Sequence, residues 1–232
     1  RSPGSNFFDA ETIQGYWISG PKRDGEDRHP AEWPGPVEVD GDVADLAAVA
    51  DTCRRHGSLL VIDEAHAVLG PDPAPGFFDG VEVVRVGTLS KTLGALGGFA
   101  ACSERVADLL VNAARSAIFT TGLSPADAGA ALAAVRLLRS PEGTELQATL
   151  RRHVDRLRPG HPSPIVPLVL GSEADAVAAA GALLDRGLLV PAIRPPTVAP
   201  GTSRLRITFS AAHTDDDVAR LLDGLAEIGA LA

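Results

Sequence analysis

The stretch "DVADLAAVADTCRRHGSLLVID", residues 42 to 63, constrains the fold more than any other feature. Val43, Leu46, Ala47, Ala50 and Cys53 recur at helical spacing, Asp42 stands where a cap would sit, and Gly57 stands where a helix would stop. Directly after it, Ser58 to Asp63 form a short apolar run with no polar alternation, which predicts a strand covered on both faces. Two further runs, "VEVVRVG" (81 to 87) and "GGFAAC" (97 to 102), are of the same kind. Helices interleaved with such strands predict an α/β fold with a mostly parallel sheet.

The rest of the chain separates into regions. Residues 1 to 34 are rich in Gly, Pro and charge and show no sustained period, so they read as a loop or poorly ordered arm. Helices are expected over "SERVADLLVNAARS", "SPADAGAALAAVRLLRS" and "EGTELQATLRRHVDRLRPG", the first two opening on Ser103 and on Ser124-Pro125. After Pro162 come strand "PIVPLVLG", helix "SEADAVAAAGALLDRG", strands "LLVPAIR" and "RLRITFS", and a final helix from about Asp215. The expected division is residues 1 to 34 unmatched, 35 to 145 a larger domain, and 146 to 232 a small α/β domain.

Composition removes several function classes. With 21 basic against 30 acidic residues the formal charge is −9, which opposes the attraction nucleic-acid binders rely on. No apolar run is long enough to span a bilayer, and no Cys or His spacing resembles a metal site. Cys53 and Cys102 read as free, buried thiols of a cytoplasmic protein. The chain begins on Arg1, not Met, and reads as a fragment or a processed chain.

The chemistry turns on "LLVIDEAHAVLG". An apolar strand ending in Asp63-Glu64-Ala65-His66 matches the acidic box of a nucleotide motor, but such a box needs a GxxxxGK[ST] loop, and neither lysine, Lys22 or Lys91, lies in one. The other reading is a strand-end carboxylate that holds a cofactor's pyridine nitrogen protonated. That reading needs a primary amine downstream, and "VGTLSKTLGALGG" supplies Lys91 among small residues that let a flat ring approach the backbone. Only two of the basic residues are lysines, and arginine cannot form a Schiff base with an aldehyde. Glu64 reads as an ordinary surface acid.

These residues carry a resemblance. "VDGDVADLAAVADTCRRHGSLLVIDEAHAVLG", "VGTLSKTLGALGGFAACSERVADLL", "IFTTGLSP" and "AIRPPTVAPGTSRLRITFSAAHT" together resemble the α-oxoamine synthases, which are fold type I pyridoxal phosphate enzymes, over about residues 35 to 232. The Arg-Pro-Pro within the last segment is most similar to the branch that condenses L-alanine with a pimeloyl thioester; the sister synthases for aminolevulinate and aminoketobutyrate usually lack it. The resemblance implies that pyridoxal 5'-phosphate is held covalently by Lys91, which also shuttles the substrate α-proton. It implies that Asp63 pairs with the pyridinium nitrogen, His66 bonds the ring's phenolic oxygen and Thr88 touches the phosphate. Thr121 would reach the phosphate of a neighbouring subunit's cofactor, Arg206 would bind the amino-acid carboxylate, and Arg194 would meet the far carboxylate of the acyl group. A homodimer using amino acid and acyl-CoA follows from the same resemblance.

The sequence also departs from the family. The front of the large domain has no counterpart here, and Glu38 in "PVEVDGD" replaces the family's serine, placing an acid near a phosphate. Three readings therefore stand side by side: a decarboxylative acyltransferase of the L-alanine branch; another α-oxoamine synthase, such as the aminoketobutyrate or aminolevulinate enzyme; and an inactive remnant or one piece of a split enzyme that serves as an interaction module with a chain supplying the front half.

Overall fold

The structure is a computed structural model that describes residues 17–19, 44–67 and 74–231. The expected loop character of residues 1 to 34, apart from 17–19, lies outside these, as do Lys22, Glu38, Asp42 and Val43. The chain forms two compact units, one holding Ala44–Leu137 and one holding Leu138–Ala232.

In the first unit a four-stranded sheet runs in the order β1 (Trp17–Ser19), β2 (Leu59–Asp63), β3 (Val83–Thr88), β4 (Gly98–Ala101). Strand β1 departs from the irregular reading at residues 17–19 alone, where the backbone pairs antiparallel with β2. Only β2 and β3 are parallel among the described residues, in the register Leu60 with Val83 to Asp63 with Val86. A mostly parallel sheet was expected; β3 and β4 are antiparallel. The reason is length: parallel neighbours need a crossover of a dozen or more residues, whereas residues 89–97 between β3 and β4 permit only a direct return.

Helix α1 (Leu46–His56) covers one face of this sheet. It starts later than the sequence pattern indicates, because Asp45 and not Asp42 is the cap, its carboxylate accepting the Ala48 amide at 3.0 Å. Gly57, at φ +57°, turns the chain out of the helix and delivers Ser58 to β2. Val49 and Cys53 pack on Leu60 and Ile62, with Phe78, Val81 and Val83 around them. Burial pushes the Cys53 thiol up, while Cys102 is only half-buried, correcting the expectation of two buried thiols. Helices α2 (Glu104–Ala113), α3 (Arg115–Ile118) and α4 (Pro125–Leu138) follow β4. The expected helix over 103–116 breaks at Ala114, which is extended at ψ 100°.

The second unit is built on α5 (Pro141–Leu157), β5 (Ile165–Gly171), α6 (Glu173–Leu184), β6 (Ala192–Ile193), β7 (Ser203–Thr208) and α7 (Asp215–Glu227). Its sheet is antiparallel in the order β5-β7-β6. Three of its helices begin on hydroxyl caps, Ser140, Ser172 and Thr214, the last in a reciprocal box with Asp217. Val154, Val166, Leu183, Leu205, Ile207, Val218 and Leu225 form its core. Each such buried aliphatic contributes about 1.5–3 kcal/mol of transfer free energy. Of the expected strand 188–194 only Ala192–Ile193 pairs. No helix among the described residues is long and apolar enough to cross a membrane.

Candidate active site

Because β2 and β3 are parallel, their carboxyl ends leave the sheet on the same edge, where open α/β sheets place ligands. Asp63 ends β2 and Thr88 ends β3. Strand alternation puts Asp63 on the sheet face opposite Leu60 and Ile62, away from α1.

Asp63 is buried, 7% exposed, and its Oδ1 accepts the Ala65 amide at 2.9 Å. Burial pushes its carboxyl above the ordinary aspartate range, partly offset by that amide and by the positive charge of Lys91. The turn after Asp63 carries His66, whose Nε2 lies 2.9 Å from Lys91 Nζ.

Lys91 is exposed, on the loop between β3 and β4. That loop is closed on itself: Leu89 donates to Gly97 O at 2.9 Å and Ala95 to Leu89 O at 2.8 Å. Thr88 Oγ1 lies 2.7 Å from Ser90 Oγ and donates to Gly97 O at 3.2 Å. Gly87 and Gly97 are demanded by packing. A Cβ on Gly87 would stand 2.5 Å from the Phe99 ring, and one on Gly97, at φ +123°, would stand 2.7 Å from Leu123 Cδ1.

Asp63, His66, Thr88 and Lys91 thus come together at one sheet edge. Thr121 is exposed in the segment between α3 and α4. Its neighbourhood is joined to the lysine loop by the Leu96 amide, which donates to Asp127 Oδ1 at 3.0 Å; Asp127 in turn accepts the Ser124 hydroxyl at 2.6 Å. Arg206 and Arg194 lie in the second unit, Arg206 on β7 and Arg194 just beyond β6. Arg194 is exposed. Arg206 is half-buried, and its Nε is shielded from solvent without a hydrogen-bond partner, a donor left over for an anion.

Sequence reasoning missed two features. Glu64, read as a surface acid, accepts from Arg85 Nε at 3.0 Å and from Nη2 at 2.8 Å. A charged residue in the middle of the apolar run "VEVVRVG" was the available signal. Asp127 left no signal, because its partner is a backbone amide 31 residues away. Among the described residues no cluster of three or more His, Cys, Asp or Glu could hold a metal ion.

The donor set fits an aldehyde-bearing pyridine cofactor: an accessible primary amine, a buried carboxylate that feels its charge, and a threonine hydroxyl at the adjoining strand end. The α/β fold and this edge are those of the fold type I pyridoxal phosphate enzymes. A family model described as aminotransferase class I and II matches residues 38–225, and the chain belongs to that family. The 8-amino-7-oxononanoate synthase of Anaeromyxobacter dehalogenans is 46% identical over 209 residues, covering 82% of this chain and 51% of the relative. Serine palmitoyltransferase of Sphingomonas wittichii superposes with a TM-score of 0.70 at 28% identity, over 84% of this chain and 54% of the other. A structure of SPT with PLP as an internal aldimine gives 0.68 at 27% identity, over 82% and 53%. The chain spans about half the length of the curated relatives it matches.

Proposed function

We propose that this chain carries the cofactor lysine of an 8-amino-7-oxononanoate synthase, which condenses L-alanine with pimeloyl-CoA or a similar thioester and releases carbon dioxide. The observation that carries the reading is the 2.9 Å contact of Lys91 Nζ with His66 Nε2 beside the buried Asp63. Names of relatives at 46% identity support the choice of branch.

Pyridoxal phosphate, when bound, supplies the electron sink for charge left at the amino-acid Cα. Lys91 Nζ would hold the aldehyde carbon, and as a free amine it would take the substrate α-proton. Asp63 would accept a hydrogen bond from the ring nitrogen and keep it protonated; a buried carboxylate is suited to this because low polarity strengthens that bond. His66 would meet the phenolic oxygen, and Thr88 the phosphate. Thr121 reaches the phosphate bound by a neighbouring copy, so the proposal includes a homodimer. Arg206 presents its planar fork to the amino-acid carboxylate, and Arg194 meets the distal carboxylate of the acyl chain. The unit that ends at Leu137 serves as the cofactor-binding part and the one that begins at Leu138 as the small domain of a cytoplasmic enzyme, a division several residues ahead of the expected one at 145/146 because α5 (Pro141–Leu157) belongs whole to the second unit.

A second reading, a module that binds a partner chain without catalysing, is favoured by one observation: β4 is exposed along all four residues and, among the described residues, is an edge strand of its sheet. Incubation with pyridoxal phosphate, L-alanine and pimeloyl-CoA separates the two. Release of free CoA thiol that requires both substrates and disappears in Lys91→Ala supports the synthase. No release by a chain that holds the cofactor on Lys91 supports the module.

A further inference from the structure

We propose that Glu64 and Arg85 form a positioning pair that sets His66 against Lys91; this rests on the reading of that lysine as the cofactor amine. Arg85 holds the Glu64 carboxylate through Nε, 3.0 Å from both oxygens, and through Nη2 at 2.8 Å from Oε1. This fork geometry fixes direction as well as distance. The Glu64 side chain is only 17% exposed, which sets the pair apart from the solvated ion pairs that contribute little.

The placement argues for positioning. Arg85 is in register with Ile62, two residues before Glu64, so its side chain reaches past the end of β2 to take the first residue of the turn. Glu64 also donates its amide to Val86 O at 2.7 Å and accepts the Ala67 amide at 2.9 Å. One residue therefore anchors the turn to β3 and closes it around His66. From Val86 the same strand continues to Thr88 and then to Lys91. The pair thus fastens together the two strand ends that carry Asp63 with His66 and Thr88 with Lys91. By strand alternation Glu64 and Arg85 belong to the face packed on α1, and Asp63 to the opposite face, so the pair acts through its neighbours and does not touch a cofactor held by Asp63.

The test uses the wild-type chain and its Arg85→Gln, Glu64→Gln and Arg85→Lys variants, without cofactor. The readout is the NMR cross-peak between the His66 ring and the Lys91 ε-methylene, recorded with the melting temperature. Loss of the cross-peak in Arg85→Gln and Glu64→Gln while the chain stays folded, with at most partial recovery in Arg85→Lys, which keeps the charge but not the fork, is the expected result. A purely structural role would lower the melting temperature and leave the cross-peak in the folded population, and that outcome overturns the proposal. Should Arg85→Gln fail to fold, the isosteric Glu64→Gln decides alone. With cofactor present, the rate of borohydride-trapped labelling at Lys91 should fall on the order of tenfold to a hundredfold in the two glutamine variants. Wild type that shows the cross-peak but never labels at Lys91 defeats the cofactor reading and leaves the positioning role standing.

Discussion

Gly94 and Gly97 both stand in the lysine loop with positive φ, yet the structure predicts opposite tolerance to substitution. Gly94, at φ +61°, occupies the ordinary left-handed region with nothing within 4 Å of an added Cβ. Alanine there costs about 1–2 kcal/mol, and asparagine, which visits that region more readily, costs less. Gly97, at φ +123°, sits where side chains are essentially excluded, a conformational cost of about 1–3 kcal/mol. Its Cβ would also meet Leu123 Cδ1 at 2.7 Å and Leu89 Cδ1 at 3.3 Å. Leu123 is 44% exposed and can turn aside, so the clash adds only about 1 kcal/mol. Gly97→Ala is therefore expected to cost roughly 2–4 kcal/mol. The strain is released by opening the loop, because the Gly97 carbonyl holds the Leu89 amide and the Thr88 hydroxyl. Hydrogen exchange at the Leu89 amide reads this directly: it should accelerate strongly in Gly97→Ala, barely in Gly94→Asn, and remain fast in Gly97→Ala/Leu123→Ala. Equal protection in Gly97→Ala and Gly94→Asn would refute the argument. Full recovery in the double variant would show that the clash, not the backbone, carries the cost.

Three other outcomes follow from the same geometry. The Asp63 carboxyl is raised by burial, so its contribution to stability is greatest below the ordinary aspartate range and is lost as pH rises through the raised value. Asp63→Asn should accordingly melt higher than wild type near neutral pH without cofactor, with the gap closing in acid, while cofactor affinity falls; a lower melting temperature at neutral pH contradicts this. Arg206→Ala should weaken L-alanine binding by about 2–5 kcal/mol, measured by calorimetry on the cofactor-loaded protein, and unchanged affinity removes Arg206 from that role. Leu205 is 0% exposed in the core of the second unit, so Leu205→Ala should lower stability by about 2–5 kcal/mol in urea denaturation, and a loss under 1 kcal/mol would contradict its packing.

Much of this architecture was legible in the sequence because its local signals agree. The period of α1, Gly57 and the run 58–63 each point to a helix followed by a buried strand, and serine or threonine marks several later helix starts. Asp63 and Lys91 were legible because strand ends and scarce lysines are visible in one dimension. What escaped depends on pairing. Whether β4 runs with or against β3 is decided by the length of the intervening loop, not by its own composition. Glu64 is an unremarkable acid until strand register brings Arg85 within reach, and the cap of α1 moved from Asp42 to Asp45 because both residues are equally good caps and the backbone selects one.

The most direct test of the cofactor reading is borohydride reduction of the chain in the presence of pyridoxal phosphate, followed by peptide mass analysis. The sequence holds two lysines, Lys22 and Lys91, so the site of labelling is nearly unambiguous. A phosphopyridoxyl group on Lys91 with Lys22 unlabelled is the predicted result, with labelling abolished in Lys91→Ala. Equal labelling of both lysines, or labelling of Lys22 alone, would mean that Asp63, His66 and Lys91 do not form a cofactor site.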